Sequence, residues 1–301
     1  MKVTIAGGAG GVGSSLAFNL VLLRGGHQIV LADNRPAMIT SHLMDLEQVL
    51  ELSPGCTVAA GGANDLPDSD VVVIISASPL TVGTSRLEYL AKNARIVDEI
   101  GDLLEPGWPG TLVVVTNPVD PLVTRLHRRT GLDRHRIVGY TINDSLRLRT
   151  GLARALGVGS GAVQAWALGE HGDLSVPLLD RVTVNGARVD PTPEQAALAL
   201  DYFRNWYVRH VALDSGRSST WTSGFALARM VGALDGPGEL WPGSVVLDGE
   251  YAIEGVAVSV PVTLGAGGVE RIHEWTLTPS DLDALRASAE LVRTAVESIE
   301  P

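Results

Sequence analysis

Short apolar runs alternate with longer amphipathic stretches through the first half of the chain. A run of consecutive apolar residues is typical of a strand covered on both faces, as in a parallel sheet. Two stretches, Ser14–Leu23 and Arg86–Leu104, instead place apolar residues at helical spacing. The predicted strands are Val3–Ala6, Ile29–Ala32, Val71–Ile75, Leu112–Thr116 and Ile137–Tyr140. Strand and helix in alternation predict a doubly wound α/β domain whose ligand crevice lies at the carboxyl ends of the strands.

The second half of the chain has a different order of elements. Strand-like runs come first, two long helical stretches follow, and three further strand-like runs precede a last helix. The predicted strands are Ala162–Leu168, Arg181–Val189 with an Asn185-Gly186 turn, Ser244–Leu247, Val256–Pro261 and Val269–Ile272, and the predicted helices are Pro193–Leu213 and Ser219–Leu234. We therefore expect two directly packed domains, an α/β domain over residues 1–142 and an α+β domain over residues 143–301.

The last helix has clear signals at its start. Thr278 is a predicted N-cap, and Pro279 takes the first helical position, where proline is favoured. Its predicted apolar face consists of Leu282, Leu285, Leu291 and Val292.

Composition narrows the classes of function. The 301 residues include 34 Asp and Glu against 23 Lys and Arg, a formal net charge of −11. This argues against a nucleic-acid partner, because clustered cations are needed to bind a phosphate backbone. The single cysteine, Cys56, excludes an intrachain disulfide and a cysteine-based zinc site, and we expect no metal. With no signal peptide and no run of about 18 apolar residues, we expect a cytoplasmic protein with no membrane partner.

A glycine-rich turn follows the first predicted strand and precedes the first predicted helix. Gly8, Gly10 and Gly13 satisfy G-x-G-x-x-G, and Gly7 with Gly10 and Gly13 gives a looser register of the same pattern. Glycine permits the tight turn and lets the backbone approach a pyrophosphate, which binds N–H groups at the helix N-terminus. The pattern predicts a Rossmann-type domain that binds a dinucleotide through Gly7, Gly8, Gly10, Gly11, Val12 and Gly13.

Asp33 ends the second predicted strand, twenty residues after Gly13. A carboxylate at this place accepts hydrogen bonds from the adenosine ribose and repels a 2′-phosphate, which favours NAD over NADP. Arg35 lies nearby and could attract a phosphate, so the strictness of that preference stays open.

Several motifs together resemble the L-lactate/malate dehydrogenase family. Leu168–Asp173 (LGEHGD) is similar to the family's catalytic histidine motif, and Asn143–Arg149 (NDSLRLR) to the motif with its catalytic Asp and substrate-binding Arg. Thr116–Asp120 (TNPVD) resembles the family's Asn-Pro motif, and Ser85-Arg86-Leu87 the start of the helix after its mobile loop. The resemblance covers almost the whole chain in order, and residues 247–251 and 260–265 extend it toward the C-terminus.

The resemblance implies a role for each of these residues. His171 would exchange a proton with the substrate, and Asp144 would orient its ring and favour the protonated form. Arg147 would bind the substrate carboxylate with its planar fork of donors. Arg86 would polarise the carbonyl after the loop closes, and Asn117 would hydrogen-bond the substrate or the nicotinamide. The family's Asn-Pro bond is cis, so we predict that Asn117-Pro118 is cis.

The chain departs from the family at the position that selects the substrate, six residues before the loop arginine. Malate enzymes place arginine there and many lactate enzymes glutamine, whereas this chain has Leu80, with no cation from Leu80 to Ser85. A distal carboxylate would meet no partner there, so a lactate-like or apolar substrate is favoured over malate. Ser219 is expected on the far wall of the site, with Thr220 as second choice. Malate remains the alternative, because Arg217 could supply the missing cation.

A catalytically silent NAD-binding protein is a remote alternative. The glycines and Asp33 would serve it equally, but only an enzyme needs His171, Asp144, Arg147 and Arg86 together. The expected partners are a small 2-oxo or 2-hydroxy acid and further copies of the chain, since the resemblance implies a homodimer or homotetramer.

Overall fold

A parallel sheet forms the centre of the first half of the molecule. The computed structural model describes residues 1–79 and 85–300. The strands are β1 (Lys2–Ala6), β2 (Gln28–Ala32), β3 (Thr57–Gly61), β4 (Val71–Ile74), β5 (Thr111–Val114) and β6 (Ile137–Tyr140), and the helices are α1 (Gly11–Leu23), α2 (Pro36–Leu52), α3 (Arg86–Gly101) and α4 (Val119–Thr130). The strand order is β3-β2-β1-β4-β5-β6, and all of these pairs are parallel. The predicted doubly wound α/β fold is confirmed, with its topological switch between β1 and β4.

The second half extends the same sheet with antiparallel strands. Its elements are α5 (Ile142–Leu156), β7 (Val163–Gln164), β8 (Ala167–Gly169), β9 (Ser175–Pro177), β10 (Thr183–Val184), β11 (Ala187–Arg188), α6 (Pro193–Ala212), α7 (Thr220–Ala233), β12 (Glu239–Asp248), β13 (Glu254–Gly265), β14 (Gly268–Ile272) and α8 (Pro279–Glu297). The junction is the pairing of β12 with β6, where Gly243 lies opposite Tyr140. From there the sheet continues through β13, β8 and β9. The two halves therefore share a backbone hydrogen-bond ladder.

Several predicted elements differ from the structure in detail. The predicted strand Ala162–Leu168 is two short strands: β7 pairs with β10 in a small separate sheet, and β8 pairs with β13 in the main one. Leu291 is 42% exposed and does not belong to the apolar face of α8. The buried positions of that helix are Leu285, Ser288, Ala289, Val292 and Val296. Thr278 does cap the helix, accepting a hydrogen bond from the Asp281 N–H.

Three elements of the first half, β3, α2 and α4, carry no prediction. β3 is the edge strand of the sheet, and its residues are exposed or half-buried, so its apolar run, Val58-Ala59-Ala60, is short and consists mostly of small residues. α2 buries only Ile39 and Leu46, which leaves a weak helical pattern. Among the helices of residues 1–79 and 85–300, none is long and apolar enough to span a membrane.

Candidate active site

The glycine turn joins β1 to α1 at the switch point of the sheet. Gly7 has φ +99°, and a Cβ there would lie 2.6 Å from the Ser76 backbone nitrogen. A Cβ on Gly13 would lie 2.4 Å from the Gly7 carbonyl oxygen, so only glycine lets helix and turn approach so closely. The first helical bond is from the Ser14 N–H to the Gly10 carbonyl, at 2.9 Å. The N–H groups of Gly11, Val12 and Gly13 precede that bond and are placed to receive a pyrophosphate.

Asp33 follows β2 at the same edge of the sheet. Its carboxylate accepts hydrogen bonds from the Ala9 N–H at 3.1 Å and from Arg35 Nε at 3.1 Å. Burial alone would raise the pKa of Asp33, but the hydrogen bonds from Arg35 and Ala9 outweigh it and hold the pKa below its usual value. Asp33 is therefore charged at neutral pH and engages Arg35. Turn and carboxylate together fit the phosphates and the adenosine ribose of a dinucleotide.

His171 and Asp144 lie side by side although 27 residues separate them. His171 follows β8, which is anchored by the pairing of Gly169 with Ser259 on β13, and Asp144 lies in the first turn of α5. The distance between His171 Nδ1 and Asp144 Oδ2 is 2.5 Å. Both side chains are largely buried, at 15% and 11% exposed. With Nδ1 bound to Asp144, Nε2 is the ring nitrogen that remains for another partner.

Charged neighbours set the protonation of His171. Burial opposes the imidazolium, but the charge and hydrogen bond of Asp144 outweigh it and raise the pKa of His171 above its ordinary value. A second carboxylate, Asp120 on α4, accepts the His171 backbone N–H at 2.6 Å. Burial raises the pKa of Asp120 to about 7. In the sequence Asp120 is marked only as part of the Asn-Pro motif, and its contact with the histidine loop could not be inferred from its position in the sequence.

Arg147 lies one helical turn after Asp144 on α5. Its Nη1 donates to Asp144 Oδ1 at 3.3 Å, so one carboxylate joins the imidazole and the guanidinium. The side chain is 18% exposed. The ring of Trp206 on α6 covers the guanidinium, with 4.3 Å from Cζ to the ring centroid. Sequence reasoning missed Trp206, because an aromatic residue in a helix of mixed pattern carries no signal of such a contact.

Asn117 lies directly before Pro118, at the end of the segment that follows β5. The bond between the two is cis, as predicted. The Asn117 carbonyl accepts a hydrogen bond from Asn93 Nδ2, and Asn93 Oδ1 accepts the Ser78 N–H, both at 2.7 Å. Asn93 is fully buried on α3. It thus holds the segments after β4 and β5 together beside the crevice.

Arg86 is the first residue of α3, at the predicted junction between loop and helix. Its Nη2 contacts Asp173 Oδ2 at 2.6 Å, two residues past His171, and the side chain is 86% exposed. The structure therefore places Arg86 at the rim of the site, outside hydrogen-bonding contact with His171. Leu80, the predicted selector of the substrate, lies outside the described residues.

Ser219 is the N-cap residue of α7. The first turns of α7 and α5 are joined by a buried hydrogen bond of 3.0 Å from Asn143 Nδ2 to Ser223 Oγ. Asn143 in turn accepts from the Tyr140 hydroxyl at 2.8 Å. This network places the start of α7 close to the turn of α5 that carries Asp144.

Comparisons with known proteins identify the family of the chain. Residues 1–139 match the family model described as lactate/malate dehydrogenase, NAD binding domain, and residues 141–300 the one described as lactate/malate dehydrogenase, alpha/beta C-terminal domain. The chain is 35% identical to a malate dehydrogenase of Halobacterium salinarum, covering 99% of both proteins. It is 32% identical to an L-lactate dehydrogenase of Treponema denticola, covering 98% of this chain and 96% of that one.

A comparison with solved structures indicates the same family. Lactate dehydrogenase from Eimeria maxima with NADH and oxamate superposes with a TM-score of 0.90 at 26% identity, covering 99% of this chain and 93% of that one. The chain therefore belongs to the lactate/malate dehydrogenase family, and it is an NAD-dependent enzyme that interconverts an L-2-hydroxy acid and its 2-oxo acid.

Proposed function

We propose that His171 is the proton-transfer residue of this dehydrogenase and that Asp144 orients it. The observation that carries the proposal is the buried cluster of His171, Asp144 and Arg147, in which one carboxylate contacts both cations. In the oxidation, Nε2 of His171 accepts the hydroxyl proton of the substrate. In the reduction, the imidazolium returns a proton to the carbonyl oxygen. Bound NAD supplies the hydride acceptor in one direction and, as NADH, the hydride donor in the other.

Arg147 is proposed to bind the substrate carboxylate. A guanidinium presents parallel N–H donors that match two carboxylate oxygens, and this grip orients the neighbouring carbon for reaction. Arg86 is proposed to polarise the substrate carbonyl, which requires it to leave Asp173 and turn inward from the rim. Asn117 and Ser219 are proposed as further substrate contacts, and Asn117 also as a contact of the nicotinamide.

Residues 1–142 are proposed to bind NAD, with Asp33 on the adenosine ribose, and residues 143–301 to carry most of the substrate contacts. Engagement of Arg35 by Asp33 supports NAD over NADP, since the charged carboxylate would repel a 2′-phosphate. We also propose a cytoplasmic homodimer or homotetramer. Exposed large apolar residues on α1 and α7, namely Phe18, Leu22, Trp221 and Phe225, support self-association.

The preferred substrate is proposed to be a 2-oxo acid with a small or apolar side chain. Leu80 stands in the sequence where malate enzymes place arginine, and an unpaired distal carboxylate in a closed site costs several kcal/mol. Arg217, the other candidate cation, lies over the Trp221 ring at 5.0 Å from its centroid and lines a surface cleft with residues of α1 and α2. Malate is the second candidate, because relatives in the family include malate dehydrogenases.

A comparison of kcat/KM for three substrates tests this preference. With NADH, kcat/KM for pyruvate or 2-oxoisocaproate is expected to exceed that for oxaloacetate. Leu80→Arg should reverse this order, because it adds the partner for the distal carboxylate. The ratio of kcat/KM for oxaloacetate to kcat/KM for pyruvate should rise by roughly 10²–10⁴-fold. A higher kcat/KM for oxaloacetate in the unaltered enzyme would contradict the proposal and favour malate.

A further inference from the structure

Trp206 lies over the face of the Arg147 guanidinium, whereas Asp144 contacts its edge. Among the described residues, five arginines lie over aromatic rings, and the 4.3 Å between Arg147 Cζ and the Trp206 centroid is the shortest of these distances. Asp144 contacts one edge of the same guanidinium through Nη1. A ring over the face leaves the remaining edge donors free to meet a carboxylate.

The packing of α5 against α6 explains why Trp206 reaches this place. A Cβ on Gly151 would lie 2.6 Å from the Ala199 carbonyl oxygen, so the two helices touch at their backbones. Leu148, Leu152, Ala199 and Phe203 are buried in the core beside this contact. The helices run antiparallel, since Arg147 meets Trp206 while Arg154, further along α5, meets Tyr202, earlier on α6. The position of Trp206 is therefore set by the core and not by a flexible loop.

Trp206 also stacks with a histidine ring. The His210 ring stacks on it with 4.9 Å between centroids and 13° between planes. His210 Nε2 is 2.9 Å from the Arg217 carbonyl oxygen, in the segment that leads to Ser219. Trp206 thus contacts both Arg147 and a histidine that is anchored to the backbone, and these two contacts define its orientation.

We propose that Trp206 is a positioning residue that aligns Arg147 for the substrate carboxylate, with His210 supporting its ring. Neither residue needs to touch the substrate. Without the ring, the Arg147 guanidinium keeps one ionic neighbour but can rotate about that contact, so fewer of its conformations match a carboxylate. The effect should fall on binding of the 2-oxo acid rather than on proton transfer, because the contact between His171 and Asp144 does not involve Trp206.

Four variants test this inference, which rests on the proposed role of Arg147. Trp206→Leu is expected to raise KM for the 2-oxo acid about tenfold and to change kcat less than about threefold, a size typical of a partly buried cation–π pair. KM for NADH should not change. Trp206→Phe should restore KM to within about threefold of the unaltered enzyme, because it keeps an aromatic face. His210→Ala should raise KM in the same direction by a smaller factor.

Tyr202→Leu is the matched control. Tyr202 covers Arg154 at 4.4 Å on the same pair of helices, so its removal has a similar effect on packing but does not touch Arg147. Its KM for the 2-oxo acid should stay within about twofold. Unchanged KM in both Trp206→Leu and His210→Ala would overturn the inference, as would an equal rise in Tyr202→Leu. If Trp206→Leu does not fold, the KM values of His210→Ala and Trp206→Phe for the 2-oxo acid decide whether the inference holds. Absence of activity in the unaltered enzyme would instead refute the proposed function.

Discussion

His171→Asn is expected to lower kcat for 2-oxo acid reduction by about 10³-fold while leaving the Kd for NADH unchanged. General acid–base catalysis contributes about 10²–10⁴-fold to the rate of a reaction. The asparagine amide can donate a hydrogen bond to Asp144, but it cannot exchange a proton at neutral pH. The proposed cofactor site is the turn after β1 together with Asp33, whereas the side-chain partner of His171 is Asp144. Steady-state rates and the fluorescence of bound NADH measure the two quantities separately.

His135→Asn is the control for this substitution. His135 Nδ1 lies 2.9 Å from Asp133 Oδ1, so it forms a second His–Asp pair, but an exposed one preceding β6. Its replacement should leave kcat within about twofold. If His171→Asn kept more than about a tenth of kcat, or if both variants lost activity equally, another residue would have to carry the proton. A protein that only bound NAD would show no turnover in any of these forms.

Arg147→Lys is expected to lower kcat/KM for the 2-oxo acid by about 10²–10³-fold, mostly through KM. Lysine keeps the positive charge but loses the planar pair of donors and the surface that Trp206 covers. Replacing a partner of a largely buried charge pair commonly costs about 2–5 kcal/mol, an interval that includes this loss. Steady-state kinetics with saturating NADH measures the loss.

Arg154→Lys makes the same change two turns further along α5. Arg154 also lies against an aromatic ring, that of Tyr202, so the two substitutions are chemically alike. It should leave kcat/KM within about twofold. A loss in Arg147→Lys no larger than in Arg154→Lys would show that Arg147 does not bind the carboxylate.

Local features of the fold could be predicted because their signals are local. The glycine turn, Asp33 and the central parallel strands follow from short sequence patterns whose physics needs no distant partner. The long strands β12 and β13 were predicted too short. Both run through prolines, and Pro242 lies opposite Pro261 in the pairing of β12 with β13, where proline would ordinarily end a strand.

The candidate site depends on distances that the sequence does not encode locally. His171 and Asp144 were paired through resemblance to a family, since residue types alone cannot place a loop after β8 against the first turn of α5. Trp206 had no such guide, and the motif that includes Asp120 does not place it against His171. Their contacts arise from the packing of α6 on α5 and of α4 beneath the histidine loop, which depends on the whole fold.

The pH dependence of kcat/KM for 2-oxo acid reduction, measured in the unaltered enzyme and in Asp144→Asn, tests most directly whether Asp144 tunes His171. Reduction needs the imidazolium, so kcat/KM should be highest at low pH and fall as pH rises through the pKa of His171, which Asp144 raises above the ordinary value. In Asp144→Asn the neutral amide no longer favours the charged ring. The descending limb should therefore move to lower pH, together with a lower maximum. A limb at the same pH in both enzymes would contradict proton transfer by a histidine that this carboxylate controls.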